Sequence, residues 1–459
     1  MSNLNFSSEN NYKEFEKNLK AEINTCRKMI DEGKIFLVMD TVEETMNNCV
    51  DNENFTDGIY FIERLLEISP YNSDYWYKKG VLLNIDCKYE NAIECFNKAI
   101  SLNPGDVEIY LDKSISEEGL DLNDEAVKSL EIVLELEPTN DEAYYNLGMI
   151  AFRETNFIRA KECFLKTINL NYESKEVYFD LASCSEALNE YENAIKFIDM
   201  YLETYPYNEN AWYNKGVFLS VVNRKEEAVS SFDFALAIND EFARAWFNKG
   251  IIVAELGQLH LALECFINSY KYDSFDENTV YNIANIYADL NKNEKAIEYF
   301  TKTIKLNKEY VSAYLGRAQS YFIQGHCISA LNDYKIAVNI SREDKEAWLG
   351  KAEIEYSLGK LNDACISYKN IIRIEPENFN ANFKLAQILF ELGNYNDSIK
   401  SFIECIEIDK NNYIPYFYLT RIYSIIGDPV NAKNYFILTL NYGPNLDRRL
   451  KSEFPEIEI

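Results

Sequence analysis

Histidine is nearly missing from this chain of 459 residues: only His260 and His326 occur. His260 has Cys265 five residues on and His326 abuts Cys327, and neither pair has the spacing of a zinc site. None of the ten cysteines forms a C-x-x-C pair, which predicts small, semi-buried thiols in a reducing compartment. Basic charge is also scarce, with 46 Lys and Arg against 75 Asp and Glu and a net charge of −29. That field repels phosphate backbones and anionic lipid, so nucleic acid and membrane surfaces are not expected partners. It leaves a solvated outer face or a basic partner as its explanation. No apolar run is long enough to cross a bilayer, and no Gly/Ser-rich or Pro-rich linker divides the chain. The polar start, Met1 to Asn11, lacks a charged-then-apolar leader, which predicts a cytoplasmic product. No phosphate-binding glycine loop, G-x-S-x-G or H-E-x-x-H is present, so no cofactor and no catalytic constellation is expected.

What the chain has is a period. All four tryptophans, Trp76, Trp212, Trp246 and Trp348, are separated by whole multiples of 34 residues. In 34-residue windows starting at Ser73, each falls at the fourth place. The twentieth place is alanine in ten windows of eleven, from Ala92 to Ala432, with Ser398 as the exception. The eighth place is always small, as at Gly80, Gly148, Gly216 and Ala284. No residue has to be inserted or removed to keep this register from Ser73 to Leu446.

Each window carries two helical stripes. In 209–242 the first runs Trp212, Gly216, Leu219 and Val222, and after a polar break the second runs Ala228, Phe232, Ala235 and Ile238. Neither helix could bury its stripe alone, so neighbours must stack. Small residues at places eight and twenty let two backbones approach, while Trp212 and Phe232 fill the space beside the crossing. Prolines at place thirty-two, such as Pro104, Pro138, Pro206 and Pro376, stop the second helix and tolerate the first turn of the next.

These residues resemble the signature of the tetratricopeptide repeat family: Trp76, Gly80, Leu83, Ala92, Phe96, Ala99 and Pro104, and Trp212, Gly216, Leu219, Ala228, Phe232 and Ala235. The resemblance covers 73–446 as eleven repeats, with a degenerate twelfth at 39–72 that has Gly58 where the alanine belongs. It implies an all-α fold, a right-handed α-α superhelical solenoid of tandem helix-turn-helix repeats. Residues 1–38 are expected to form a capping region, with Tyr12, Phe15, Leu19, Ile23, Cys26 and Ile30 on one stripe of a helix over 9–30. Residues 447–459 are expected to form a short helix until Pro455, then a tail. The stretch "YPYNENAWYNKG" and the closing "SEFPEIE" are loosely similar to tetratricopeptide proteins of Bacteroidetes-type bacteria.

The family serves many partners on one scaffold, so function must be sought in the wall. The resemblance places the first helix of each repeat on a concave face, with places two, five, six, nine, twelve and thirteen toward a groove. Place six reads Asn146, Asp180, Asn214, Asn248 and Asn282 in five successive repeats. A carboxamide offers donor and acceptor together, so such a column could hold the backbone of an extended peptide. It looks like the asparagine ladder of some family members, although asparagine there is also common framework. Tyr145, Phe179, Tyr213, Phe247 and Tyr281, at place five, flank the column. Family members that grip acidic chaperone tails use lysine, arginine and asparagine at set groove places; here place five is never lysine and place six never arginine. The expected function is a non-catalytic scaffold for a protein or extended peptide, its contact surface spanning 141–310. A peptide-sensing regulator of a partner protein and a self-associating structural protein are the alternatives. Glu117 stands where Leu83 or Leu219 stands elsewhere, either weakening its helix or presenting a carboxylate.

Overall fold

The computed structural model describes residues 5–52, 54–170, 175–443, 454 and 457, the side chains of 5–17 excepted. Among them are twenty-five α-helices and one 3-10 turn, Ile35–Leu37. The fold is all-α, its helices packed pairwise in tandem. Two compact units divide the chain, Met1–Arg224 and Lys225–Ile459, with the break in the turn between helices Glu209–Val221 and Lys225–Ile238.

Four local devices recur along the windows and fix the register. The first is a helix cap at place thirty-four: Asn140 accepts from the Ala143 amide at 2.8 Å, Asn208 from Ala211 at 2.9 Å and Asn378 from Ala381 at 2.9 Å. An asparagine there satisfies an amide the helix leaves unpaired. The second is the turn between the two helices. All eleven residues at place fifteen, from Cys87 to Gly427, have positive φ, between 55° and 78°. That left-handed residue ends the first helix and reverses the chain.

The third device uses the prolines and tryptophans together. Nε1 of Trp76 and Trp212 donates to the carbonyls of Pro70 and Pro206, each at 2.9 Å. Trp246 and Trp348 bond the same way to Asp240 and Arg342, at 2.8 and 2.9 Å. The tryptophans therefore pin these four first helices to the loops that precede them, besides packing. The fourth is the crossing of the helix pair. Phe164 is fully buried, and a Cβ added to Gly148 would lie 2.6 Å from its ring. Burying such a ring contributes about 1.5–3 kcal/mol, which no isolated helix of this length could supply.

In the first unit, helix Asn5–Asp31 contains the expected 9–30 helix. Leu19, Ile23 and Cys26 are buried against Val42, Met46 and Cys49 of helix Met39–Asp51, with Ile30 packed beside them. Tyr12 and Phe15 lie outside the described side chains. In the second unit, Phe454 is buried against Phe417 and Phe436. The rest of the expected C-terminal helix and tail, save Ile457, lies outside the described residues. No described helix is long and apolar enough to cross a membrane.

Candidate functional site

The place-six residues sit on the first helix of each repeat. Asn146, Asp180 and Asn214 belong to the first unit, Asn248 and Asn282 to the second. All five are half-buried. Asn146 and Asn214 make no side-chain hydrogen bond among the described residues, and the Asn146 Nδ2 is buried without a partner. Asn282 Nδ2 donates to the Asn278 carbonyl at 3.0 Å, one turn back on its own helix. Asn146 and Asn214 thus keep hydrogen-bonding capacity unspent, and an unmade bond at a buried amide costs about 1–3 kcal/mol.

Four of the five flanking aromatics pack against a ring of their own helix pair. The Tyr145 ring lies 5.7 Å from Phe164, Phe179 5.3 Å from Tyr201, Phe247 5.8 Å from Phe266 and Tyr281 5.9 Å from Phe300. Each is half-buried, so part of its surface stays open. Tyr145 also reaches forward one repeat, its hydroxyl donating to Asp180 Oδ2 at 3.3 Å. Burial pushes the Asp180 carboxyl up to about 6, against the lowering effect of the Tyr145 hydroxyl. Tyr77 and Asp112 form the same pair at 2.7 Å, and burial raises both groups. Sequence reasoning missed this earlier pair. Its signal is a tyrosine at place five followed by an aspartate at place six of the next repeat.

Carboxylates recur beside these pairs. Place two reads Asp74, Glu108, Glu142 and Glu176 in four successive repeats of the first unit. Asp74 is paired with Lys78 at 2.9 Å. The Glu142 carboxyl is raised by burial, then by Glu108, Asp112 and Asp141 around it. Glu117, by contrast, is withdrawn from this face. It is 4% exposed, paired with Lys113 at 3.3 Å, and accepts from Ser129 Oγ at 2.7 Å.

Family models for the tetratricopeptide repeat match residues 73–106, 152–209, 278–310 and 379–412. The chain is 27% identical over 120 residues to the Hsp70-Hsp90 organizing protein of Triticum aestivum, 26% of this chain and 21% of that protein. It is 28% identical over 148 residues to the protein O-mannosyl-transferase TMTC3 of Homo sapiens, 31% of this chain and 16% of that protein. Both matches therefore cover a minor part of those relatives. Among solved structures, the C-terminal part of a TPR repeat-containing protein from Cytophaga hutchinsonii is similar at 20% identity and a TM-score of 0.48. That match covers 52% of this chain and 99% of the other.

Proposed function

Because the chain is a tetratricopeptide repeat protein, we propose that it is a non-catalytic scaffold that holds an extended segment of a protein partner on its first-helix faces. The Asn214 carboxamide carries this reading, since it is half-buried, makes no side-chain hydrogen bond among the described residues and is not sealed from solvent, so a partner's backbone can reach it. A carboxamide offers donor and acceptor together, and the same residue type recurs at place six at Asn146 in the first unit and at Asn248 and Asn282 in the second. The carboxylates Glu108, Asp112, Glu142 and Asp180 favour a segment that carries lysine or arginine. An acidic tail is disfavoured by the same charges and by the absence of lysine at place five.

The test is a crosslinking pull-down from the native host, comparing the protein with the Asn214→Ala, Asn248→Ala, Asn282→Ala triple variant. At about 1 kcal/mol per lost hydrogen bond, the variant should bind the captured segment about 3 kcal/mol more weakly. Equal affinity of the two proteins for that segment would remove the column from the binding surface.

A further inference from the structure

The second unit holds a cavity of about 290 Å³ between helices Lys345–Ser357 and Phe379–Glu391, outside the segment discussed above. Leu349, Ile371 and Phe383 give it an apolar lining, and Glu353, Tyr368 and Lys384 a polar one. Three features set those polar groups apart. Tyr368 is 3% exposed and makes no hydrogen bond among the described residues. Its oxygen is not among the sealed, unpaired polar atoms, so it keeps contact with open space. One repeat earlier the equivalent Tyr334 donates to Gln319 Oε1 at 3.4 Å. In the repeat of Tyr368 the place of Gln319 is taken by Glu353, and no such bond forms.

The second feature is charge. Glu353 and Lys384 line one cavity with opposite signs, yet neither enters an ion pair among the described residues. The third lies in the sequence. Place nine is a carboxylate only at Glu353, being Val81, Ile115, Met149, Ser183, Asn285, Gln319 and Gln387 in other repeats. Place six is lysine only at Lys78 and Lys384. Lysine and glutamate thus depart from the repeat pattern at neighbouring positions that the fold brings to one cavity.

We propose that this cavity binds a zwitterionic apolar α-amino acid. The ammonium donates to Glu353 and to the Tyr368 oxygen, the carboxylate accepts from Lys384, and the side chain lies against Leu349, Ile371 and Phe383. A hydroxyl both donates and accepts, so Tyr368 can serve ammonium and carboxylate at once. Burial, then the charge of Glu353, pushes the Tyr368 hydroxyl up to about 12, which keeps its proton at neutral pH. The volume, about 290 Å³, lies at the lower end for small-molecule sites and suits one amino acid better than a peptide run. Lys345 at the rim is already engaged by Glu375 at 3.0 Å, which leaves Lys384 as the anion's partner.

Calorimetric titration of the full chain with L-leucine and L-phenylalanine tests the site. Ligands this small should bind with a dissociation constant on the order of 1 mM. N-acetyl-L-leucine lacks the ammonium and L-leucinamide lacks the carboxylate; each should bind at least about tenfold more weakly, as should L-leucine to Glu353→Gln and Lys384→Met. Both substituted residues are exposed, and circular dichroism checks that the variants keep their helices. Tyr368→Phe should weaken L-leucine several-fold with the apolar lining intact. Absence of saturable binding by both amino acids overturns the proposal, and so does binding that both charge variants leave unchanged. Undiminished binding of N-acetyl-L-leucine or of L-leucinamide also overturns it, indicating instead the C-terminus or N-terminus of a peptide. The triple asparagine variant should bind L-leucine normally, so this site and the peptide column stand or fall separately.

Discussion

Tyr145 donates to Asp180 from the repeat before it, at 3.3 Å, and so ties two repeats together through a carboxylate that burial has made less acidic. The folded Asp180 titrates at about 6, above its ordinary value near 4. The folded state therefore binds this proton more tightly than the unfolded state. The resulting stability is complete below the ordinary value and is lost as pH rises through the folded one. Asp180→Asn should flatten the fall in stability between about pH 4 and about pH 6 and raise stability near pH 8. Tyr145→Phe removes the hydroxyl that favours the ionised form, so the Asp180 midpoint should climb further. Urea denaturation across this range measures the first effect, and carboxyl NMR titration the second. A variant whose stability keeps the wild-type slope would assign the slope to another group.

A ring decides where the amide column ends. Phe266 leans over Gly250, whose added Cβ would lie 2.8 Å from it, and the next place six is Asn282. One repeat on, the equivalent of Gly250 is Ala284, and Phe300 lies against the following place six instead. A Cβ on Gly316 would be 2.3 Å from Phe300 Cζ, and Tyr334 approaches Gly350 equally closely. Gly316→Asn should therefore cost about 1–3 kcal/mol through overpacking. Ala284→Gly should recover part of that loss by letting Phe300 lean back, even though the single glycine costs about 1 kcal/mol by itself. A double-mutant cycle by chemical denaturation should show a favourable coupling of about 1 kcal/mol or more. Strict additivity would mean that the ring does not move.

This exchange shows where sequence reading stopped. The helix pairs, their order and their register were legible, because the period at Trp76, Ala92 and Pro104 reports burial and chain reversal, which are local and repeated. The sequence also displayed the change from Asn282 to Gly316, but its cause lies in the ring of Phe300, which local patterning does not locate. Glu117 shows the same limit. Its identity marked an anomaly, while its burial and its bond from Ser129 depend on a helix twelve residues away in sequence. The sequence displayed the aromatics from Tyr145 to Tyr281 at place five, but not that Tyr145, Phe179, Phe247 and Tyr281 each pack against a ring of the second helix. The cavity at Tyr368 escaped because a place-by-place reading of 141–310 never compared Glu353 with Lys384.

Thr155 is strained where glycine is at ease. It has φ 59° at place fifteen, a left-handed conformation that a β-branched residue rarely adopts. Five later turns, such as those at Gly257 and Gly325, use glycine at the same place with φ 77° and 78°. Thr155→Gly should stabilise the first unit by up to about 1 kcal/mol, the left-handed penalty being partly offset by the greater freedom of glycine when unfolded. Thermal or urea denaturation reads the gain. A loss of stability would show that the Thr155 side chain contributes more than its backbone costs.

Glu117 and Lys113 form an ion pair whose worth can be separated from its burial. Glu117 is 4% exposed and accepts from Ser129, and the arrangement recurs at Lys351, Glu355 and Ser367, where the pair is 2.9 Å and the serine bond 2.6 Å. Two charges taken from water lose hydration that their attraction repays only in part. Removing one of them leaves the other uncompensated, so Glu117→Ala should cost about 3–5 kcal/mol. Glu117→Leu restores the residue that Leu83 and Leu219 supply elsewhere, but it strands Lys113 and should still destabilise. Joined with Lys113→Met it should fall within about 1 kcal/mol of the wild type or exceed it, since apolar replacement of a buried pair is often neutral or stabilising. Urea denaturation of the two single variants and the double variant decides the matter. A double variant as unstable as Glu117→Ala would mean that the pair, held by Ser129, stabilises this helix beyond what apolar packing can replace.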